Sequence, residues 1–153
     1  MHTFSTSIDI AQPVERAWSV MIDVDHWHEW TPSITSVRRL GGQPLAVGSR
    51  VLIRQPMFPP ALWAVSALVP GERFSWVSVA PGLRVTGHHD VVPISGGSRA
   101  TLGIEIDGLC GGLWARLTRA ISERYLGYEA QGLKARAGDG AYRHGGLPRS
   151  PHR

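Results

Sequence analysis

Cysteine, charge and long apolar runs are all scarce in this sequence of 153 residues. Cys110 is the single cysteine, which excludes an intramolecular disulfide and a cysteine-based zinc site. No apolar run approaches the roughly 20 residues that span a bilayer, so no membrane insertion is expected. The first five residues lack the basic and apolar regions of a secretory signal, and we therefore expect a cytosolic location. With 42% hydrophobic and 18% charged residues, the chain is neither disordered nor a charged coiled coil.

The net charge of +4 is concentrated at the C-terminal end of the chain. Eleven arginines and eleven acidic residues cancel over positions 1–133, whereas positions 134–153 hold five basic residues against Asp139 alone. The body is therefore neutral, and nucleic acid is not an expected partner. The sequence predicts a single domain over residues 1–137 and a basic, flexible tail over residues 138–153, which is rich in Gly and Pro.

The spacing of apolar residues predicts seven strands and three helical segments. Alternating segments separated by Gly-Gly and Pro-Gly turns indicate strands at 3–10, 34–40, 50–55, 62–69, 74–79, 83–92 and 100–107. A period of 3.6 indicates helices at 13–22 and about 112–136, with a short helical turn at 26–30. The predicted apolar stripe of the long helix consists of Leu113, Leu117, Ala120, Ile121, Tyr125, Tyr128 and Gly132. A sheet of this size must bury its apolar face against the long helix. The expected fold class is therefore α+β: a curved seven-stranded antiparallel sheet wraps around a long C-terminal helix, two short helices follow the first strand, and a cavity lies between sheet and helix.

The period of two also assigns side chains to the faces of the sheet. His89 shares a row with Val85 and Val91, so it points inward, whereas its neighbour His88 points to solvent. Arg50 and Arg54 fall on the outer face unless a bulge intervenes. The predicted cavity wall consists of Gln55, Trp63, Trp76 and His89 among aliphatic residues such as Val69, closed by Tyr125 and Tyr128 of the long helix, with Trp27 and Trp30 at the mouth.

Several sequence stretches resemble one superfamily in their order and spacing. They are the opening strand with Pro13-Val14-Glu15-Arg16-Ala17-Trp18, then Trp27, Trp30-Thr31-Pro32, Gly48, Arg54-Gln55-Pro56, Trp63-Ala64-Val65, Pro70-Gly71-Glu72-Arg73-Phe74-Ser75-Trp76, Pro81-Gly82, His89, Arg124-Tyr125 and Glu129-Ala130-Gln131-Gly132-Leu133-Lys134. On these residues the chain resembles the START-like (SRPBCC) superfamily, in its bacterial polyketide cyclase/dehydrase-like branch. The resemblance covers residues ~3–136 and implies a helix-grip fold with a pocket for a small or lipid-like ligand.

Two functions remain open at this point. One is the binding of a small hydrophobic or polyketide-like molecule, and the other is a polyketide cyclase or dehydratase reaction with His89 as general acid and base. An inward arginine would favour the cyclase reaction, and the outward positions of Arg50 and Arg54 therefore count against it. The candidate ligand-binding residues are Trp30, Gln55, Trp63, Trp76, His89 and Tyr125, and His89 is also the candidate catalytic residue. Alternatively, the tryptophans simply fill the core, or the domain is an interaction module with an exposed apolar patch.

The sequence suggests neither a metal site nor a cofactor. His26 and His28 lie two apart on a helical turn and diverge, and His88 and His89 lie on opposite faces of a strand. The expected partner is a small hydrophobic molecule, and the oligomeric state is left open.

Overall fold

The computed structural model describes residues 1–139, and most of the predicted tail lies outside this range. Within it the chain forms seven strands and two α-helices, with a 3₁₀ helix at Val24–Glu29. The strands are β1 His2–Ile10, β2 Ser36–Leu40, β3 Arg50–Gln55, β4 Phe58–Val69, β5 Arg73–Ala80, β6 Leu83–Ile94 and β7 Gly97–Asp107. The helices are α1 Val14–Ile22 and α2 Gly111–Gly138. This element order confirms the predicted helix-grip fold.

All seven strands join one antiparallel sheet in the order β1-β7-β6-β5-β4-β3-β2. Strands β2 to β7 follow each other as hairpins, whereas β1 pairs with β7 and so brings the two ends of the domain together. Helix α2 packs across β1 and β7. The core lies between this helix, α1 and the apolar face of the sheet. No helix within residues 1–139 has the length and apolarity needed to cross a bilayer.

Strand β4 begins four residues earlier than the sequence predicts, despite two prolines. Gln55 pairs with Phe58 and Ile53 pairs with Ala61, so Pro59 and Pro60 together oppose a single residue of β3. Residues in a bulge do not form the regular hydrogen bonds between strands. The two prolines, which lack a backbone N–H, therefore cost the sheet no hydrogen bond.

A second irregularity in β4 overturns the prediction that Val69 points inward. Val65 pairs with Trp76 and Ala67 with Ser75, which leaves Ser66 as an extra residue. One extra residue exchanges the two faces of the strand beyond it. As a result Leu68 packs on the core, and Val69 is exposed.

The buried face of α2 also differs from the predicted stripe. Leu113, Leu117 and Tyr128 expose 65%, 70% and 41% of their surface, so Tyr128 does not close the cavity. The face against the sheet is built largely from small side chains: Gly111, Ala115, Thr118, Ser122 and Ala130. Small residues let the helix approach the sheet closely, and the burial pattern therefore does not follow the most apolar residues.

Candidate ligand-binding cavity

A cavity of about 580 Å³ lies between the sheet and α2. Strands β3 to β7 supply its wall, α2 covers it, and Trp27 and Ile34 contribute from the segment that follows α1. The volume falls within the range of small-molecule sites, which are ~300–1,000 Å³. Most of the lining side chains are apolar or aromatic.

The cavity has an open end and a closed end. At the open end the lining residues Val79, Leu113 and Leu117 are exposed. At the other end Trp27 and His89 are almost fully buried. Along α2 the lining extends from Leu113 to Glu129, which corresponds to roughly 24 Å at 1.5 Å per residue. A ligand would therefore enter beside the first turns of α2 and reach inward toward His89 and Glu129.

Three rings, Trp27, Trp76 and His89, line the closed end, and Phe74 packs behind them. We define these four rings as the aromatic cluster. The His89 imidazole stacks on Phe74 with 4.2 Å between ring centroids and 12° between planes. Trp27 and Trp76 each lie 5.2 Å from His89 and approach it edge-on. The Trp27 indole N–H donates to the carbonyl of Met21 at 3.0 Å, which ties this ring of the 3₁₀ helix to α1. The cluster is packed from three elements, so its geometry is preset before any ligand binds.

Trp76 needs a glycine on the neighbouring strand. It pairs with Gly87, and a Cβ atom at that position would lie 2.6 Å from the indole nitrogen. Carbon and nitrogen atoms that are not bonded do not approach this closely. Gly87 therefore makes room for Trp76 to lie across β6 beside the cavity.

His89 is an uncharged group in this environment. Its Nδ1 lies 3.2 Å from the carbonyl oxygen of Phe74, which can only accept, so the neutral ring carries its proton on Nδ1. Burial lowers the pKa of His89 from 6.5 to about 3, the hydrogen bond to Phe74 opposes this change, and His88 lowers the pKa further. The imidazole consequently offers Nε2 as a hydrogen-bond acceptor and stays neutral at physiological pH.

Glu129 is a second ionisable group of the cavity, and sequence reasoning did not identify it as a site residue. Its Oε1 accepts a hydrogen bond from the Ser33 hydroxyl at 3.2 Å, and Ser33 lies 2.7 Å from the hydroxyl of Thr31. Burial raises the pKa of Glu129 from 4.5 to about 7, against the opposing effect of Ser33. Glu129 lies one helical turn after Tyr125, on the same face of α2, and this spacing was the signal available in the sequence.

Five of the six predicted ligand-binding residues line the cavity: Gln55, Trp63, Trp76, His89 and Tyr125. The Tyr125 hydroxyl also accepts a hydrogen bond from the backbone N–H of Met57 at 3.2 Å, which ties α2 to the β3–β4 turn. The cavity therefore brings together residues from four strands and one helix.

Trp30 is not among the residues that line the cavity. It contacts Trp27, with 5.5 Å between ring centroids, and its backbone lies against Gly132 of α2. The prediction that Trp27 and Trp30 lie at the mouth is wrong for Trp27 as well, because Trp27 is buried at the closed end. A contact between residues 30 and 132 joins parts of the chain that no local pattern connects.

The inward arginine that would favour a cyclase reaction is missing from the described lining residues. Arg50 and Arg54 are both exposed, as their position in the alternation predicts, even though β3 and β4 change register beside Arg54. His88 lies on the outer face, where its Nδ1 is 3.0 Å from the Ser75 hydroxyl and its Nε2 is 3.3 Å from Glu105. Residues 1–139 contain no cluster of three or more His, Cys, Asp or Glu side chains that could hold a metal ion.

Comparisons with known proteins agree with this architecture. Residues 1–138 match the family described as polyketide cyclase / dehydrase and lipid transport. The ZhuI aromatase/cyclase from Streptomyces sp. R1128 is similar in structure, with a TM-score of 0.74 and 15% identity over 95% of this chain and 99% of that one. The protein TTHA0849 from Thermus thermophilus gives a TM-score of 0.71 and 17% identity over 89% of this chain and 97% of that one.

One half of a larger protein is also similar. The di-domain ARO/CYC StfQ from the steffimycin biosynthetic pathway gives a TM-score of 0.71 and 15% identity over 88% of this chain and 50% of that one. No curated protein matches the sequence. At these identities the solved structures support the fold, and the family match covers nearly the whole described domain. The chain therefore belongs to the polyketide cyclase/dehydrase and lipid transport family.

Proposed function

We propose that this protein binds a small hydrophobic or polyketide-like molecule in the cavity between its sheet and α2. The observation that carries the proposal is the cavity itself, which is apolar, about 580 Å³ in volume and open at one end. Filled cores contain few voids larger than a water molecule, so an apolar space of this size is suited to a ligand. Three rings of the aromatic cluster, Trp27, Trp76 and His89, line its inner end and suit an unsaturated or ring-shaped molecule.

A matched pair of substitutions on β4 tests this proposal. Ala61 pairs with Ile53 and lines the cavity, whereas Ala67 pairs with Ser75 and is exposed. The neutral fluorescent probe N-phenyl-1-naphthylamine should bind the unchanged protein and Ala67→Trp, and Ala61→Trp should weaken binding by roughly tenfold or more because its indole fills the cavity. Equal binding by the two variants, or no binding by any of them, would show that the cavity is not the site.

The alternative is a cyclase or dehydratase reaction in which His89 transfers protons. His89 lines the cavity, which favours a contact between its imidazole and a bound substrate. With a pKa of about 3, however, only about one molecule in 10⁴ carries a protonated His89 at pH 7. General acids work best with a pKa near the operating pH. The environment of His89 therefore supports a ligand contact better than proton transfer.

His89→Ala separates the two functions. A poly-β-ketone is incubated with the protein, and mass spectrometry follows the loss of water from it. A catalytic His89 predicts a large fall in turnover with little change in affinity. An equal loss of both, or no turnover by the unchanged protein, supports the binding function.

The third possibility, an interaction module, predicted an exposed apolar patch. Leu109, Leu113 and Leu117 are exposed near the first turns of α2. Leu113 and Leu117 also line the open end of the cavity. Their exposure therefore fits the entrance of a ligand site.

A cytosolic location remains a prediction.

A further inference from the structure

The charges that line the cavity define which polar groups it can accept. No lysine or arginine is among the lining residues of the described chain. His89 is neutral and donates its Nδ1 proton to the Phe74 carbonyl, so it brings no positive charge. Glu129 is the acidic side chain of the lining. His88 also borders the cavity, but its imidazole lies on the outer face against Ser75 and Glu105. The charge at the closed end is therefore zero or negative.

Glu129 is held as a hydrogen-bond acceptor. The Ser33 hydroxyl donates to Oε1, and because its proton is used there, the Thr31 hydroxyl donates to Ser33 in turn. Thr31 and Ser33 are almost fully buried, with 2% and 0% of their surface exposed. Ser33 is the one hydrogen-bond partner of Glu129 found within residues 1–139, and a carboxyl group can accept more than one such bond. Glu129 retains accessible surface and lines the cavity, so accepting capacity remains for a bound molecule.

We propose that Glu129 is the polar recognition group of the cavity, and that the cavity selects ligands whose inner end carries a hydrogen-bond donor over ligands that end in a carboxylate. A hydroxyl or an ammonium group supplies such a donor, and a carboxylate at the same place would face Glu129 with no basic residue to offset it. This inference rests on the proposed ligand-binding function and adds the chemical class of the ligand.

The competing interpretation gives Glu129 a structural role only. In that case the carboxyl group serves to hold the Thr31–Ser33 segment against α2, and it contributes nothing to the choice of ligand. The two interpretations differ in what happens when Ser33 is removed. A purely structural link is broken by Ser33→Ala and largely kept by Glu129→Gln, because the amide oxygen still accepts from Ser33. Recognition of a cation by the carboxylate has the opposite pattern: it is lost in Glu129→Gln and kept in Ser33→Ala.

Three probes with the same ten-carbon chain test the inference on the full chain. Decan-1-ol, decylamine and decanoate compete with N-phenyl-1-naphthylamine at about pH 8, where the amine is cationic and the acid is ionised. The unchanged protein should bind the alcohol and the amine roughly tenfold or more tightly than decanoate. Glu129→Gln should lower the preference for amine over decanoate by roughly tenfold or more, while the alcohol changes by less than about threefold because an amide oxygen also accepts.

Two further variants serve as controls. Glu123→Gln makes the same change on an exposed part of α2, where Glu123 pairs with Arg119 at 3.2 Å, and it should behave like the unchanged protein. Ser33→Ala should keep the preference for the amine. Equal binding of the three probes, or an unchanged preference in Glu129→Gln, overturns the inference and leaves the proposed function standing if N-phenyl-1-naphthylamine still binds. Failure of the fluorescent probe itself overturns the proposed function.

Discussion

Replacing Glu129 with glutamine should make the stability of the protein less sensitive to rising pH. Burial raises the pKa of Glu129 from 4.5 to about 7 in the folded state. Because a group with a raised pKa stabilises the fold below its unfolded pKa, this contribution is lost as pH increases through about 7. Each pKa unit corresponds to about 1.4 kcal/mol, so the loss between pH 4.5 and 8 amounts to about 3 kcal/mol at most. Glutamine carries no charge and avoids this loss.

The pKa shift of His89 has the opposite effect on the pH dependence of stability, and its pH range overlaps that of Glu129. Its pKa falls from 6.5 to about 3 on folding, so its contribution is present above pH 6.5 and lost as pH falls through about 3. Between pH 4.5 and 6.5 the two contributions oppose each other, and the unchanged protein should show a stability that varies little there. The difference between Glu129→Gln and the unchanged protein removes His89 from the comparison, because both proteins contain it.

Urea unfolding at several pH values, followed by tryptophan fluorescence, measures that difference. The free energy of unfolding of Glu129→Gln, relative to the unchanged protein, should increase by about 3 kcal/mol from pH 4.5 to 8. Glu123→Gln, which alters an exposed ion pair, should show almost no such change. A difference that stays constant with pH would refute the conclusion that the fold raises the pKa of Glu129.

Glycine substitutions test two close contacts of the fold. Gly132→Ala should destabilise the protein by roughly 2 kcal/mol, because the new Cβ atom would overlap the carbonyl oxygen of Trp30. A Cβ atom at Gly127 would meet no heavy atom within 4 Å, so Gly127→Ala should stabilise α2 by about 1 kcal/mol. Thermal unfolding compares the two, and similar effects would contradict the packing described for Trp30. Gly87→Ala should cost about 1–3 kcal/mol and shift the fluorescence of Trp76, and an unchanged spectrum would contradict the placement of its indole against β6.

The strands and helices were predictable because their residue spacing is a local property. Alternation fixed the inward position of His89 and the outward position of Arg54, and both are confirmed. Val69 was misplaced because the extra residue at Ser66 is visible only in the pairing of β4 with β5. A bulge changes no local pattern, yet it exchanges the faces of every later residue in the strand.

The cavity was harder to predict than the sheet. The face of α2 was assigned from its most apolar residues, but Ala115 and Ser122 form the buried side and Leu113 is exposed. Glu129 was overlooked because a search for apolar residues passes over an acid, although its spacing from Tyr125 places both on one face. The role of a side chain in a cavity depends on partners such as Ser33 that lie far away in the sequence.

The effect of Glu129 on the stability of the protein and its effect on ligand affinity arise from the same free energy. A Glu129 carboxylate without a counter-charge costs roughly 3 kcal/mol at high pH. A ligand that supplies the counter-charge can recover this free energy, which corresponds to at most about a 100-fold gain in affinity. Decylamine is cationic at both pH 4.5 and 8, and His89 is neutral throughout this range. The affinity of decylamine relative to decan-1-ol should therefore increase as pH rises through about 7, and the bound amine should reduce the loss of stability in the same range. Glu129→Gln should abolish both effects. If the ratio of affinities is independent of pH, or increases equally in the variant, the carboxyl group of Glu129 does not contact the bound amine.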